Sequence, residues 1–191
     1  MTGPLFFASG SRNFFKLSLT TLISNAVPKR SVRIEKGFEA NVTISELRPD
    51  QSRLAELVSP RVNLETGLPI FIDRITQIAL EHMNSGRSVI ICVPDFRDLR
   101  RLRVVLERYF SAGELSIVDS NEVASTRYGG FLQQLASEKL VVLGTRNAIY
   151  SPVSGDAAII VWDDGDQSHQ DQQSPYLTTR EIALLRSSLF D

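Results

Sequence analysis

A short run of apolar and β-branched residues at Ser88–Val93 constrains the fold most strongly, because Gly86 and Pro94 bound it so closely. A continuous apolar run of this length predicts a strand buried on both faces. Such strands belong to parallel sheets that helices cover on both sides. Three further apolar runs predict strands at Leu115–Val118, Leu140–Leu143 and Ala157–Val161.

Segments of helical periodicity lie between these strands. Apolar residues recur every three or four positions in Ile70–Asn84, and Pro69 suits the start of a helix. The same spacing predicts helices over Leu99–Tyr109, Ser125–Ser137 and Thr179–Leu189. Thr178 and Glu181 have the spacing of a capping box before the last of these helices. Strands and helices that alternate in this way predict an α/β fold with a doubly wound parallel sheet.

The pattern is weaker over residues 1–67. Residues 15–23 have helical spacing, Ser31–Ile34 predicts a possible first strand, and Arg53–Val58 predicts a short helix inside an irregular insertion. We therefore predict two units, an N-terminal region over residues 1–67 and an α/β lobe over residues 68–191.

Composition excludes several classes of protein. The chain has 191 residues with 42% hydrophobic and 23% charged side chains, which is typical of a soluble globular protein. One cysteine and two histidines exclude a disulfide framework and a four-ligand zinc site within this chain. No apolar run reaches the ~20 residues of a membrane span, and residues 1–10 do not resemble a signal peptide. We expect a cytoplasmic protein with no membrane partner.

Charge is unevenly distributed although the net charge is only −1. The stretch 97–108 holds five arginines, and the stretch 161–175 holds four aspartates without a lysine or arginine. A basic patch can bind a polyanion despite a neutral total, because screening limits the reach of charges to ~8–10 Å. A solvated helix face is the alternative interpretation of the arginines.

Four motifs then occur in a specific order: Val93-Pro94-Asp95, Gly144–Pro152, Ile159–Asp166, and Pro175-Tyr176 followed by Arg180–Arg186. Together they resemble the first lobe of the PriA family of primosomal replication-restart helicases, in superfamily 2. The similarity is strongest to the actinobacterial branch, whose helicase motifs are degraded. The resemblance covers residues 86–186 and implies a RecA-like lobe. It also implies single-stranded or forked DNA and other primosome proteins as partners. In the family, a zinc site and a second lobe belong to sequence that would follow Asp191.

The resemblance also indicates a degenerate nucleotide site. A Walker A loop places a lysine on the phosphates and a hydroxyl on magnesium, yet no glycine here precedes a lysine. The relic of that loop is either Glu35–Gly37 or Thr66–Phe71. In the second, Gly67 belongs to the loop, Ile70 takes the lysine position and Phe71 takes the hydroxyl position.

The Walker B pattern, like the Walker A loop, has lost the residue that binds magnesium. Trp162 takes the position of the magnesium-binding aspartate, and Asp163 and Asp164 follow it. We expect no catalytic residue, no bound cofactor and no ATPase activity. ATP and magnesium would bind only if the family activity survives, as an ATP-dependent 3′–5′ helicase within a longer chain. The cluster of Asp163, Asp164 and Asp166 is either a new magnesium site or a solvated loop.

The DNA-facing motifs are better preserved. The resemblance implies that Thr145 and Arg146 contact the DNA backbone and that Arg97 and Arg100 extend this basic surface. A guanidinium makes strong bidentate contacts to phosphate. Alternatively, Arg146 pairs with the acidic loop at Asp163-Asp164. Trp162 likewise has two interpretations, stacking on a base or closing the core.

Overall fold

The structure, a computed structural model, describes the backbone of residues 4–8 and 53–189 and the side chains of residues 54–187. The predicted helix over 15–23, the predicted strand Ser31–Ile34 and the alternative relic loop Glu35–Gly37 lie outside these residues. Within the described ranges, no helix combines the length and the hydropathy that a bilayer span requires.

The elements alternate as the sequence predicts. The strands are β1 (Pro4–Ala8), β2 (Arg53–Leu57), β3 (Ser88–Cys92), β4 (Leu115–Val118), β5 (Val141–Gly144) and β6 (Ala157–Trp162). The helices are α1 (Ile70–Asn84), α2 (Phe96–Leu106), α3 (Ala124–Ala136) and α4 (Thr179–Leu189), with short 3₁₀ helices at Arg146–Tyr150 and Gln167–His169. The predicted α/β class is confirmed.

One sheet unites the strands in the order β2-β1-β6-β3-β5-β4. The strands β3, β4, β5 and β6 are parallel to one another, as a RecA-like lobe requires. The strand β1 runs antiparallel between β6 and β2. The carboxyl ends of the four parallel strands therefore lie along one edge, which we call the carboxyl edge.

Helices cover both faces, which confirms the doubly wound arrangement. On one face, α1 and α2 pack against alternate strand residues such as Val89 and Ile91. On the other face, α4 and the first 3₁₀ helix pack against the intervening residues, Ile90 and Cys92 among them. Cys92, the single cysteine of the chain, is fully buried in this layer of the core. Burying each large aliphatic side chain contributes about 1.5–3 kcal/mol, and this burial fixes the strand ends that carry the site.

The helix α3 lies on the same face as α4 but is less buried. Its contact with the sheet is made by Gln134, whose side-chain nitrogen donates to Ser116 Oγ at 3.0 Å. The helix backbone also approaches the strand at Gly130, where a Cβ would lie 3.4 Å from the same oxygen, in van der Waals contact. Most other large apolar residues of α3 remain exposed.

The prediction of a short helix at Arg53–Val58 is wrong, because Arg53–Leu57 is the strand β2. Leucine, alanine and glutamate favour helices, but each residue of this strand pairs with a residue of β1. Pairing across the sheet overrides local propensity. Both strands of this pair come from the predicted N-terminal region, and the unit boundary at residue 68 stays a prediction.

Candidate functional site

The carboxyl edge brings three of the predicted motifs together. The loops that follow β3 and β6 border a cavity of about 410 Å³, which we call the inner pocket. Its wall includes Phe71 from the start of α1, Asp95 after β3, and Trp162 and Asp163 at the end of β6. Ligands of open α/β sheets bind at such edges. The inner pocket is therefore the place to test for a nucleotide.

An aromatic stack occupies the side of the inner pocket where the resemblance expects magnesium. The rings of Phe71 and Trp162 lie 4.3 Å apart between centroids and are inclined by 7°. Trp162 is 7% exposed. Phe71 takes the hydroxyl position of the Thr66–Phe71 alignment, and Trp162 takes the aspartate position of the Walker B pattern. The two positions therefore do meet in space. They supply carbon surfaces where magnesium requires oxygen ligands.

The loop before α1 does not offer its amides to a phosphate. The amide nitrogen of Gly67, which has a φ of 70°, donates to Asn63 O at 2.8 Å, and the amide of Leu68 donates to Thr66 Oγ1 at 3.3 Å. The hydroxyl of Thr66 in turn donates to Asp73 at 2.8 Å. A phosphate cradle needs free backbone N–H groups. The residues at this site therefore do not fit a magnesium-bound nucleotide.

The three aspartates of the acidic loop after β6 have different surroundings. Asp164 accepts a hydrogen bond from Arg180 at 2.7 Å, and Asp166 accepts one from the Ser168 amide at 2.7 Å. Asp163 has a φ of 51°, and burial followed by the Asp166 charge raises its pKa. Among the side chains over 54–187, no group of three or more histidine, cysteine, aspartate or glutamate residues is placed to hold a metal ion.

His169 ties the end of β6 to the start of α4, a role that the sequence did not indicate. Its Nε2 lies 2.8 Å from Trp162 O, and its Nδ1 lies 3.1 Å from Thr179 Oγ1. A carbonyl oxygen only accepts, so Nε2 carries the proton and Nδ1 accepts from the hydroxyl. Burial lowers the pKa of His169 despite the nearby acidic side chains. The neutral imidazole thus fixes the backbone that positions the aromatic stack.

Arg146 begins the 3₁₀ helix that follows β5 and lies beside a different loop from the one considered in the sequence. Its Nη1 donates to Gln170 O at 2.9 Å, and its Nη2 is 4.0 Å from Asp171 Oδ1. Asp164 is engaged by Arg180 instead. The Arg146 side chain is 35% exposed, and Thr145 beside it is partly exposed. Both remain within reach of a ligand at the carboxyl edge.

The arginines of α2 are mostly ion-paired. Asp95 caps this helix by accepting from the amides of Arg97 and Asp98, both at 2.9 Å. The Arg97 side chain is 84% exposed and also pairs with Asp95 at 2.8 Å. Arg101 pairs with Asp98 at 3.3 Å. Arg100 is exposed and forms no ion pair with the side chains that the structure describes. Exposed pairs of this kind are weak, so a phosphate can displace the carboxylates.

Comparison with known proteins identifies relatives, although no protein-family model matches the chain. The chain is 30% identical over 118 residues, 62% of its length, to the probable replication restart protein PriA of Mycobacterium tuberculosis. The corresponding protein of Mycobacterium leprae is 34% identical over 118 residues, 60% of the chain. The replication restart protein PriA of Helicobacter pylori is 24% identical over 185 residues, 93% of the chain. The chain is therefore similar in sequence to one part of each of these PriA proteins.

The resemblance drawn from the four motifs is thereby confirmed. The chain spans 18% of the length of each of the two mycobacterial PriA proteins and 29% of the Helicobacter pylori PriA. The activities and partners of a complete PriA therefore do not transfer directly to these 191 residues.

Proposed function

We propose that this chain is a DNA-binding lobe that acts in replication restart and does not hydrolyse ATP. Its partners are single-stranded or forked DNA and other primosome proteins. The name shared by relatives from mycobacteria, Synechocystis and Helicobacter supports the role in replication restart. The polar groups at the carboxyl edge support contact with DNA.

The observation that carries the loss of ATPase activity is the stack of Phe71 on Trp162. The two aromatic rings place carbon at the two aligned positions where magnesium requires oxygen ligands. The inner pocket adds four aspartates, Asp95, Asp98, Asp163 and Asp166, which repel a triphosphate. These four aspartates outnumber the two arginines that also line the inner pocket, Arg97 and Arg101.

The DNA contact is assigned to Thr145, Arg146, Arg97 and Arg100. The hydroxyl of Thr145 and the guanidinium of Arg146 suit the phosphate backbone, which carries no base sequence. Arg146 holds Asp171 only at 4.0 Å, so its second nitrogen can exchange that partner for a phosphate. With so few cations, we expect micromolar or weaker affinity and a log–log salt slope of about −2 to −4.

Fluorescence anisotropy with labelled single-stranded and forked DNA tests this proposal between ~50 and ~200 mM salt. Arg146→Ala should weaken binding by about 1–2 kcal/mol, and Arg100→Ala should weaken it less. Arg108→Ala is the matched control, because Arg108 is an exposed arginine beyond the far end of α2. If Arg146→Ala lowers the melting temperature and leaves the DNA affinity unchanged, Arg146 only supports the loop at Gln170-Asp171.

A thermal shift measurement tests the nucleotide half separately. Millimolar ATP with magnesium should leave the melting temperature of the chain unchanged, because specific binding stabilises a fold by mass action. A rise of several degrees would favour the alternative, an ATP-dependent 3′–5′ helicase that is functional only in a longer chain.

A further inference from the structure

A second cavity lies at the other end of the carboxyl edge, outside β4 and β5. It has a volume of about 350 Å³, and we call it the outer pocket. Its wall combines the end of β4, side chains of α3 and the 3₁₀ helix that begins at Arg146. We propose that the outer pocket binds an unstacked base of single-stranded DNA. This inference rests on the proposed DNA-binding function and assigns it a site.

Two exposed aromatic rings make the outer pocket suitable for a base. Phe131 of α3 is 47% exposed and Tyr150 of the 3₁₀ helix is 59% exposed, and both line the cavity. Exposed rings at a pocket provide flat surfaces on which any base can stack, whatever its sequence. A base bound there would bury ring surface that now faces water.

Polar side chains around the rings complement a base and its phosphate. Asn147 and Ser151 line the wall with amide and hydroxyl groups that can bond the edge of a base. Arg127 is exposed at the same pocket and supplies a positive charge. Asp119 also lines it, but one of its carboxylate oxygens accepts from the Asn121 amide at 2.8 Å.

The outer pocket is preformed and adjoins the proposed phosphate contact. Gln134 is 4% exposed and is held by Ser116 Oγ at 3.0 Å, so its part of the wall is fixed before any ligand binds. Asn147 follows Arg146 directly in the 3₁₀ helix. A strand whose phosphate contacts Thr145 and Arg146 therefore has its neighbouring nucleotide beside the outer pocket.

Anisotropy with two oligonucleotides tests the inference, using the full 191-residue chain. One is oligothymidylate and the other has the same length and phosphates but abasic sites. The wild-type chain should bind the base-bearing strand at least about 5-fold more tightly, as expected for one stacked base. Phe131→Leu and Tyr150→Leu should each remove most of that preference and leave abasic binding unchanged.

Tyr128→Leu is the matched control, because Tyr128 is exposed on the same helix and does not line the outer pocket. It should alter binding of neither strand. Equal wild-type affinity for both strands would refute the base site and leave the DNA-binding function standing, whereas binding of neither strand would refute both. If both pocket variants bind the two strands like wild type, a different ligand, such as a protein side chain, occupies the pocket and the inference fails. Should Phe131→Leu lower the melting temperature, Tyr150→Leu still decides the question.

Discussion

The stack of Phe71 on Trp162 predicts a measurable coupling between the two side chains. Centroids 4.3 Å apart with planes inclined by only 7° imply a lateral offset of about 2.5 Å if the ring planes are ~3.5 Å apart. Offset stacking is the favourable arrangement and contributes about 0.5–1.5 kcal/mol beyond area burial. We expect Phe71→Leu and Trp162→Leu to lower the free energy of unfolding by about 1–3 kcal/mol each.

A double-mutant cycle isolates the coupling. The double variant should be about 1 kcal/mol less destabilised than the sum of the two single variants, because the stack can be lost only once. Urea unfolding followed by circular dichroism is the assay, since two of the four proteins lack the single tryptophan. The control is a second cycle that combines Phe71→Leu with Phe110→Leu. Phe110 is also buried but follows the C-terminal end of α2, so these two substitutions should be additive. Additivity within about 0.3 kcal/mol for Phe71 and Trp162 would refute a stabilising stack.

Two further predictions concern backbone packing and pH. Gly144→Ala should destabilise the fold by about 1–3 kcal/mol, because a Cβ there would lie 2.7 Å from Val118 O and 2.9 Å from Ala148 Cβ. Gly129→Ala in α3 should instead stabilise the fold by about 0.5–1 kcal/mol, because a Cβ there meets no atom within 4 Å. Thermal melts measure both effects. Burial, with a smaller effect of Arg87, lowers the pKa of His82 from 6.5 to about 4, so the unfolded chain binds the proton first. The free energy of unfolding should then fall as pH drops from 6.5 to about 4, by at most ~1.4 kcal/mol per pH unit, and His82→Gln should flatten that fall in urea titrations at several pH values.

The sequence predicts the central elements well because their signals are local. The strand Ser88–Cys92 is buried throughout and is apolar after its first residue. The capping box at Thr178 and Glu181 forms with the hydroxyl and amide of Thr178 donating to the Glu181 carboxylate. The strand Arg53–Leu57 was predicted incorrectly because its conformation depends on pairing with β1, which lies far away in sequence. The strand Pro4–Ala8 was not predicted, although its apolar run was a usable signal.

The site shows the same division between local and distant information. The family pattern places Phe71 and Trp162 at two altered positions, but only the fold shows that the rings touch. The partner of Arg146 is the backbone of Gln170, 24 residues away, which no spacing rule identifies. The aromatic wall of the outer pocket was missed because Phe131 and Tyr150 belong to separate elements, with β5 between them in the chain.

The position of β1 in the sheet also determines when the pairing of β1 with β6 can form during synthesis. Leu5 pairs with Trp162, more than 150 residues later in the chain. At ~5–20 residues per second, the ribosome needs roughly 8–30 seconds to produce the partner of this first strand. The edges of β1 stay unpaired with β6 throughout that interval, and an unpaired strand edge promotes aggregation. The nascent chain is thus most exposed to misassociation before β6 leaves the ribosome.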